Sequence, residues 1–240
     1  MKRETFRCEV CGQREHSIFC GLAGKHLERL DREKAVHRYE RGQTVFQEGT
    51  PALAVYHIYS GRVKLYKSSP KGDPLVIRLM GPGEITGYRA LLAGEPFAAT
   101  AEALEATTVC VISKQTLLAL LQESCDLALR LMAKLAKELR TSEEKMVEMA
   151  HLSVKQRAAH LLLFLQESYG EKTGPAGKGG GPPGIPLQHK EMAEMIGTTP
   201  ETFSRVLHGL ARKGIIRLTK NEILIQNPAI LKTLVPSLTP

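Results

Sequence analysis

Between His37 and Ser113 short apolar runs alternate with turn residues: TVFQEG, AVYHIYSG, RVKLYKSSPKGDP, LVIRLMGPGE, FAATAEALE and TTVCVIS follow one another. In VKLYK the apolar Val63, Leu65 and Tyr66 are interspersed with lysines, and Gly49, Gly61, Gly72, Gly81, Gly83 and Gly94 punctuate the stretch. Short strands broken in this way predict an antiparallel barrel or jelly roll over 37–113. Ser69–Pro74 has the composition of a hairpin loop. Over 114–153 the turn signals stop and the pattern becomes helical. From Asp126, the positions Ala128, Met132, Leu135, Leu139, Ser142, Met146 and Met149 recur at steps of four and three. Lys134, Lys137, Glu138, Glu143, Glu144 and Lys145 flank them. So narrow a seam suits a two-stranded coiled coil and predicts a homodimer; a helix lying only on its own roll would bury a wider stripe. Ser142 weakens the seam locally.

A third texture occupies 154–240. Val154 to Gln166 reads as an apolar helix, and the Gly/Pro-rich GEKTGPAGKGGGPPGIP as a flexible loop over 170–186. Two short helices around a tight turn follow. The first carries Leu187, Met192, Met195 and Ile196, with the small Ala193 four residues before Gly197. The second begins with Thr198 or Thr199 as cap, Pro200 in its first turn and Glu201 at its positive end. Phe203, Val206, Leu207 and Leu210 form one apolar face; Glu201, Ser204, Arg205 and His208 form the opposite one. A short helix that presents Arg, Ser and Glu outward suits the DNA major groove. A solvated helical hairpin with a Glu201–Arg205 pair is the plainer alternative. After Gly214, IIRLTKNEILI reads as strand, turn, strand, which completes a winged helix-turn-helix. One further apolar turn, PAILKTLV, is expected to pack back on that domain.

Composition changes the picture in two places. The chain of 240 residues has a formal net charge of +8, which suits a polyanionic partner such as DNA, though its Lys and Arg are spread throughout. The N-terminus lacks an apolar signal core and no run approaches membrane-spanning length, so a cytoplasmic protein with no membrane partner is expected. Cys8, Cys11 and Cys20 form C-x2-C-x8-C ahead of a lead-in helix at 22–36, and Cys110 and Cys125 follow. A CxxC pair places two soft ligands close enough to share a metal, with Cys110 or Cys125 to complete the set. Zinc, an iron–sulfur cluster and unliganded thiols all remain open on spacing alone. No nucleophile elbow, Walker loop or HExxH pair is present, so no enzyme is expected. Single histidines such as His57 read as packed or surface residues.

The order of N-terminal cysteines (1–36), roll (37–113), long dimerisation helix (114–153) and winged domain (154–240) resembles the CRP/FNR family. That is the family of the cyclic-AMP receptor protein and the fumarate and nitrate reduction regulator. The resemblance spans nearly the whole chain and is most specific in GPGEITGYRALLAGEPFAATAEALEATTVCVI and PETFSRVL. It implies an α+β fold: an antiparallel β-roll of the cyclic-nucleotide-binding jelly-roll kind, a long dimerisation helix and a C-terminal winged helix-turn-helix. Cyclic-nucleotide binders of the family carry a Glu directly after the cassette glycine and an Arg-Ser or Arg-Ala pair some ten residues later. Here Tyr88 follows Gly87, the later pair falls at Phe97-Ala98 or Ala98-Ala99, and Arg89 stands at another offset. The phosphate would be buried unpaired, so no cyclic nucleotide is expected.

The oxygen-responsive FNR branch holds a [4Fe-4S] cluster through three N-terminal cysteines and one in the roll, in a stretch similar to ALEATTVCVI. The resemblance therefore implies Cys8, Cys11, Cys20 and Cys110 as ligands, with Cys125 spare. The N-terminal spacing is one residue longer than the C-x2-C-x7-C of similar members, which bears on loop geometry. Glu201, Ser204 and Arg205 are similar to the branch's reading set and imply an inverted repeat of the form TTGA, spacer, TCAA. Thr199, His208, Arg212, Lys213 and Lys220 are the further DNA-contact candidates, and RNA polymerase is an implied partner if the protein activates. Two other readings stay open. One keeps the DNA-binding dimer but places haem, nitric oxide or a small effector in the roll, with the cysteines unliganded or bound to zinc. The other is a regulatory subunit that does not bind DNA.

Overall fold

The structure is a computed structural model and describes residues 6–70, 72–169, 188–219 and 223–235. The loop 170–186, Leu187 and Lys220 lie outside the described residues. The chain divides into two compact units, Met1–Leu139 and Arg140–Pro240.

In the first unit a 3-10 turn at Cys8–Val10 precedes α1 (Gly24–Glu33), which is shorter at both ends than the helix expected over 22–36. Strands β1 (Ala35–Tyr39), β2 (Thr44–Phe46), β3 (Ala54–Ser60), β4 (Val63–Ser68), β5 (Pro74–Met80) and β6 (Ile85–Thr86) follow. Helix α2 (Tyr88–Ala93) and strands β7 (Thr100–Ala103) and β8 (Thr107–Ser113) complete the roll. They form two antiparallel four-stranded sheets, β1-β8-β3-β6 and β2-β7-β4-β5. The expected hairpin loop joins β4 to β5, closed by the Ser69 amide donating to the Asp73 carbonyl at 2.8 Å. Val55, Ile58, Val63, Ile85, Leu91 and Ile112 anchor a buried core that Leu117, Leu120, Leu127 and Leu131 join.

Residues 114–153 hold two helices rather than one. Ser113 caps α3 (Lys114–Glu123), its Oγ accepting from the Thr116 amide at 3.1 Å. Ser124 breaks the run, and its Oγ accepts from the Leu127 amide at 3.3 Å, so that α4 spans Cys125–His151. Side-chain oxygens that satisfy free amides start helices, which is why two serines reset the periodicity here. The division between the units falls within α4.

The second unit holds α5 (Val154–Tyr169), α6 (His189–Met195), α7 (Pro200–Arg212), the antiparallel pair β9 (Ile216–Leu218) and β10 (Ile223–Ile225), and α8 (Pro228–Thr233). Gln188 and Glu191 form a capping box at α6, the Gln188 amide donating to Glu191 Oε2 at 2.8 Å. Gly197, at φ 62°, turns the chain between α6 and α7; this left-handed conformation favours glycine. Leu162, Leu165, Met192, Phe203, Leu207 and Leu210 are buried, and Leu231 of α8 joins them as expected.

Candidate metal centre and nucleic-acid interface

The period of two in β3 and β8 places His57 and Tyr59 on one face with Cys110 and Ile112. His57 and Cys110 are direct partners in the β3–β8 register. The N-terminal segment covers that face and leaves a partly open cavity, to which Cys8, Cys11, Cys110, His57 and Lys34 contribute. Three of the four expected ligands therefore meet at one place. Cys20 does not line the cavity. Its sulfur takes a hydrogen bond from Arg130 of α4, which also pairs with Asp126 at 2.8 Å. Cys125 is exposed.

Burial pushes the Cys8 and Cys110 thiols up to about 11 each, although Lys34 pulls both in the other direction. The Cys8 amide donates to Asp31 Oδ1 at 2.8 Å, and Asp31 also pairs with Lys34. Among the described residues no three of His, Cys, Asp or Glu stand at metal-ligand spacing. Donors of the right chemistry are thus gathered but held apart.

His57, read from the sequence as a packed or surface residue, is buried, and its register against Cys110 is a non-local property that a lone histidine in a strand does not signal. Burial lowers its pKa to about 4. The unfolded chain takes up the proton near pH 6.5, whereas the folded chain does so only near 4. Stability of the metal-free protein is therefore expected to fall as pH drops through that window and to be unaffected by this group above it. Melting temperature measured across the window checks this, and a His57→Leu chain should lose that part of the slope.

Around Gly87 the roll is closely packed. Gly87 has φ 86°, and a Cβ there would stand 3.1 Å from the Ala54 carbonyl and 3.2 Å from the Phe97 ring. Phe97 stacks on Phe46 with centroids 4.1 Å apart, and Tyr56 adjoins both. Arg89 is exposed. Tyr88 is buried, and its hydroxyl faces Glu138 of α4. Burial and that carboxylate together raise the Tyr88 pKa. Arg78 pairs with the same carboxylate and, at 3.0 Å, with Glu84.

Along α4 the apolar positions separate. Leu127 and Leu131 are buried, and Leu135 of the expected seam packs against the core of its own unit. Met132, Leu139 and Met146 are exposed at steps of seven, as is Leu129, which the expected seam omitted. Ala128 and Met149 are half-buried.

Helix α7 separates its faces much as its periodicity predicts. Phe203, Leu207 and Leu210 are buried, with Val206 half-buried. Thr199 caps it, accepting from the Thr202 amide at 3.3 Å. Glu201, Arg205, His208, Arg212 and Lys213 are exposed, and Ser204 is half-buried. Arg205 donates to Thr202 Oγ1 at 3.1 Å, and His208 Nδ1 lies 2.8 Å from the Ser204 carbonyl. Arg205 thus stands on the outer face of a helix seated by its apolar side.

Comparisons with known proteins agree with this architecture. Residues 36–124 match the family described as "Cyclic nucleotide-binding domain", and residues 156–234 the "Crp-like helix-turn-helix domain". The chain is 30% identical over 216 residues to the cyclic AMP receptor protein of Thermus thermophilus, covering 90% of this chain and 94% of that one. It is 26% identical over 227 residues to the nitrogen fixation regulation protein FixK of Bradyrhizobium diazoefficiens, covering 95% and 93%. The solved structure of FixK2 from Bradyrhizobium japonicum superposes with a TM-score of 0.74 at 25% identity, covering 86% of this chain and 99% of that one. No helix among the described residues is long and apolar enough to cross a membrane. Roll, long helix and winged domain, in that order and over nearly the full length of these relatives, place the chain in the CRP/FNR family of transcription regulators, which are DNA-binding proteins and not enzymes.

Proposed function

We propose that this protein is a homodimeric, cytoplasmic regulator that reads an inverted repeat of the form TTGA, spacer, TCAA and responds to oxygen or redox state through a [4Fe-4S] cluster. The observation that carries the sensing part is the meeting of Cys8, Cys11 and Cys110 at one cavity, from segments far apart in sequence. When bound, such a cluster supplies thiolate-ligated iron that reacts with oxygen. Lys34, almost wholly buried, and Arg14 contribute positive charge around the three thiols. The fourth ligand of this set, Cys20, is engaged with Arg130 on α4. Turning Cys20 into the cavity takes the sulfur from Arg130 and leaves that residue with Asp126. The ligand set is in this way linked to the helix whose exposed Met132, Leu139 and Met146 supply the dimer seam.

Cyclic nucleotide is not the signal in this reading. The Thermus relative is named for cyclic AMP, but here the residue after Gly87 is the buried Tyr88, Phe97 stacks on Phe46, and Arg89 faces solvent. Anaerobic purification with iron and sulfide counts tests the sensor. About four irons per chain, with a visible band that bleaches in air, are expected. A colourless protein after reconstitution would overturn the cluster.

In the DNA interface Arg205 donates both guanidinium hydrogen bonds to a guanine edge, Glu201 accepts from a cytosine amino group and Ser204 contacts a thymine. Arg212 and Lys213 contact phosphates. Two such helices read half-sites about 34 Å apart. RNA polymerase is the further partner at promoters the protein activates. Replacing Arg205 by Ala is expected to cost about 1–3 kcal/mol on the repeat and to relax preference at the guanine. Titration of matched and guanine-substituted duplexes reads this directly. Equal weakening on both would make Arg205 a phosphate contact instead.

A further inference from the structure

The donors gathered at the cysteine cavity are not the four that the family resemblance implies. Cys8, Cys11 and Cys110 line it and so does His57, whereas Cys20 does not. His57 is 5% exposed, and its Nε2 has no hydrogen-bond partner among the described residues. The β3–β8 ladder holds it directly opposite Cys110, so backbone pairing fixes two donors of different chemistry side by side. A buried imidazole nitrogen with nothing to bond is costly, and a cation that accepts its lone pair removes that cost.

We propose that Cys8, Cys11, Cys110 and His57 form a Cys3His site for a thiophilic divalent cation of the zinc class in the cluster-free protein, with Cys20 outside it. Three sulfurs and one imidazole suit the four-coordinate preference of zinc. Loading is a ligand exchange without electron transfer: M2+ binds three thiols and one neutral imidazole, three protons pass to solvent, and the complex carries net charge −1. Lys34 and Arg14 face the same cavity and offset that charge, while Asp31 is occupied by Lys34. The donors do not yet stand at ligand spacing. Loading therefore requires the donors to close on one another, while the Cys8 amide is held by Asp31, which accepts from it at 2.8 Å. The site does not depend on the iron–sulfur reading, and it stands or falls on its own measurements.

The test uses the full chain, purified in air, freed of iron and reduced with a phosphine, and titrated with Co2+ as the probe. Intense tetrahedral ligand-field bands and a thiolate-to-cobalt charge-transfer band are expected, and displacement of both by Zn2+. Cys20→Ser should leave them unchanged. His57→Gln should weaken Co2+ binding by more than the ~10–100-fold that loss of a merely supporting contact costs. X-ray absorption on the zinc-loaded, unsubstituted chain should count three sulfurs and one nitrogen, which keeps the test independent of how the variant folds. Four sulfurs, or bands that survive His57→Gln and vanish in Cys20→Ser, would give the fourth position to Cys20 and overturn the proposal. Absence of thiolate-to-cobalt bands in the native chain would remove the site altogether. Iron and sulfide incorporation under anaerobic conditions is scored separately, so either reading can fail without the other.

Discussion

Glu138→Ala is expected to destabilise the first unit by about 3 kcal/mol, the lower end of what removing one member of a buried ion pair costs. Glu138 is 14% exposed and meets Arg78, Lys134 at 3.2 Å and the buried Tyr88 hydroxyl. Its carboxylate is the point at which β5 and α2 of the roll join α4. The full penalty is reduced because Arg78 keeps Glu84, whose other oxygen accepts from the Gly81 amide at 2.8 Å. It is not abolished, because Tyr88 is left facing an apolar methyl group. Burial disfavours the Glu138 charge, but Tyr88 and Arg78 outweigh it and lower its pKa. The pair's contribution is accordingly present at neutral pH and is lost as pH falls through that lowered pKa. Chemical denaturation followed by circular dichroism measures the loss, and Glu138→Gln, which keeps an acceptor for Tyr88, should fall between native and Ala. A change within ~0.5 kcal/mol would mean the cluster behaves as an ordinary surface pair. In this chain protein side chains make the bridge from the roll to α4.

The second large effect belongs to the winged domain. Phe203→Ala should cost about 3–5 kcal/mol, because a fully buried ring leaves a cavity that its neighbours fill only in part. Phe203 is 0% exposed and meets the His189 ring edge-on at 6.2 Å, which seats α7 against α6. Against a total stability of about 5–15 kcal/mol for a typical domain, that loss leaves a substantial unfolded fraction at warm temperature. Binding to every duplex should fall together, accompanied by a lowered melting temperature. Arg205→Ala should do the reverse: melting unchanged, sequence preference relaxed. If Phe203→Ala melted like the native chain, α7 would not be held by its apolar face, and the assignment of Arg205 to the outer face would lose its basis.

Much of the architecture was legible because it is written in local periodicity. The short apolar run of TTVCVIS, the separated faces of PETFSRVL and the turn residues of SPKGDP each specify an element without reference to distant parts of the chain. The long helix was less legible. Its start is decided by Ser124, whose side chain competes for the Leu127 amide, and the apolar count alone runs straight through it. The seam was similarly blurred: a helix apolar on two neighbouring faces gives one series of apolar positions, although Leu135 turns to its own unit while Leu129 and Met132 turn outward.

By itself, the amino-acid sequence determined the two kinds of domain, their order, the second helix of the helix-turn-helix with its exposed Glu201 and Arg205, and the presence of clustered thiols. Tertiary structure alone decided which donors share a cavity. It brought Cys110 to Cys8 and Cys11, set His57 opposite Cys110, sent Cys20 to Arg130, and joined Tyr88 and Arg78 to Glu138. The physical reason is range. Hydrophobic period and capping are settled within a few residues, whereas the convergence of polar side chains depends on strand register and on which helix covers which sheet face, and neither leaves a mark in local spacing.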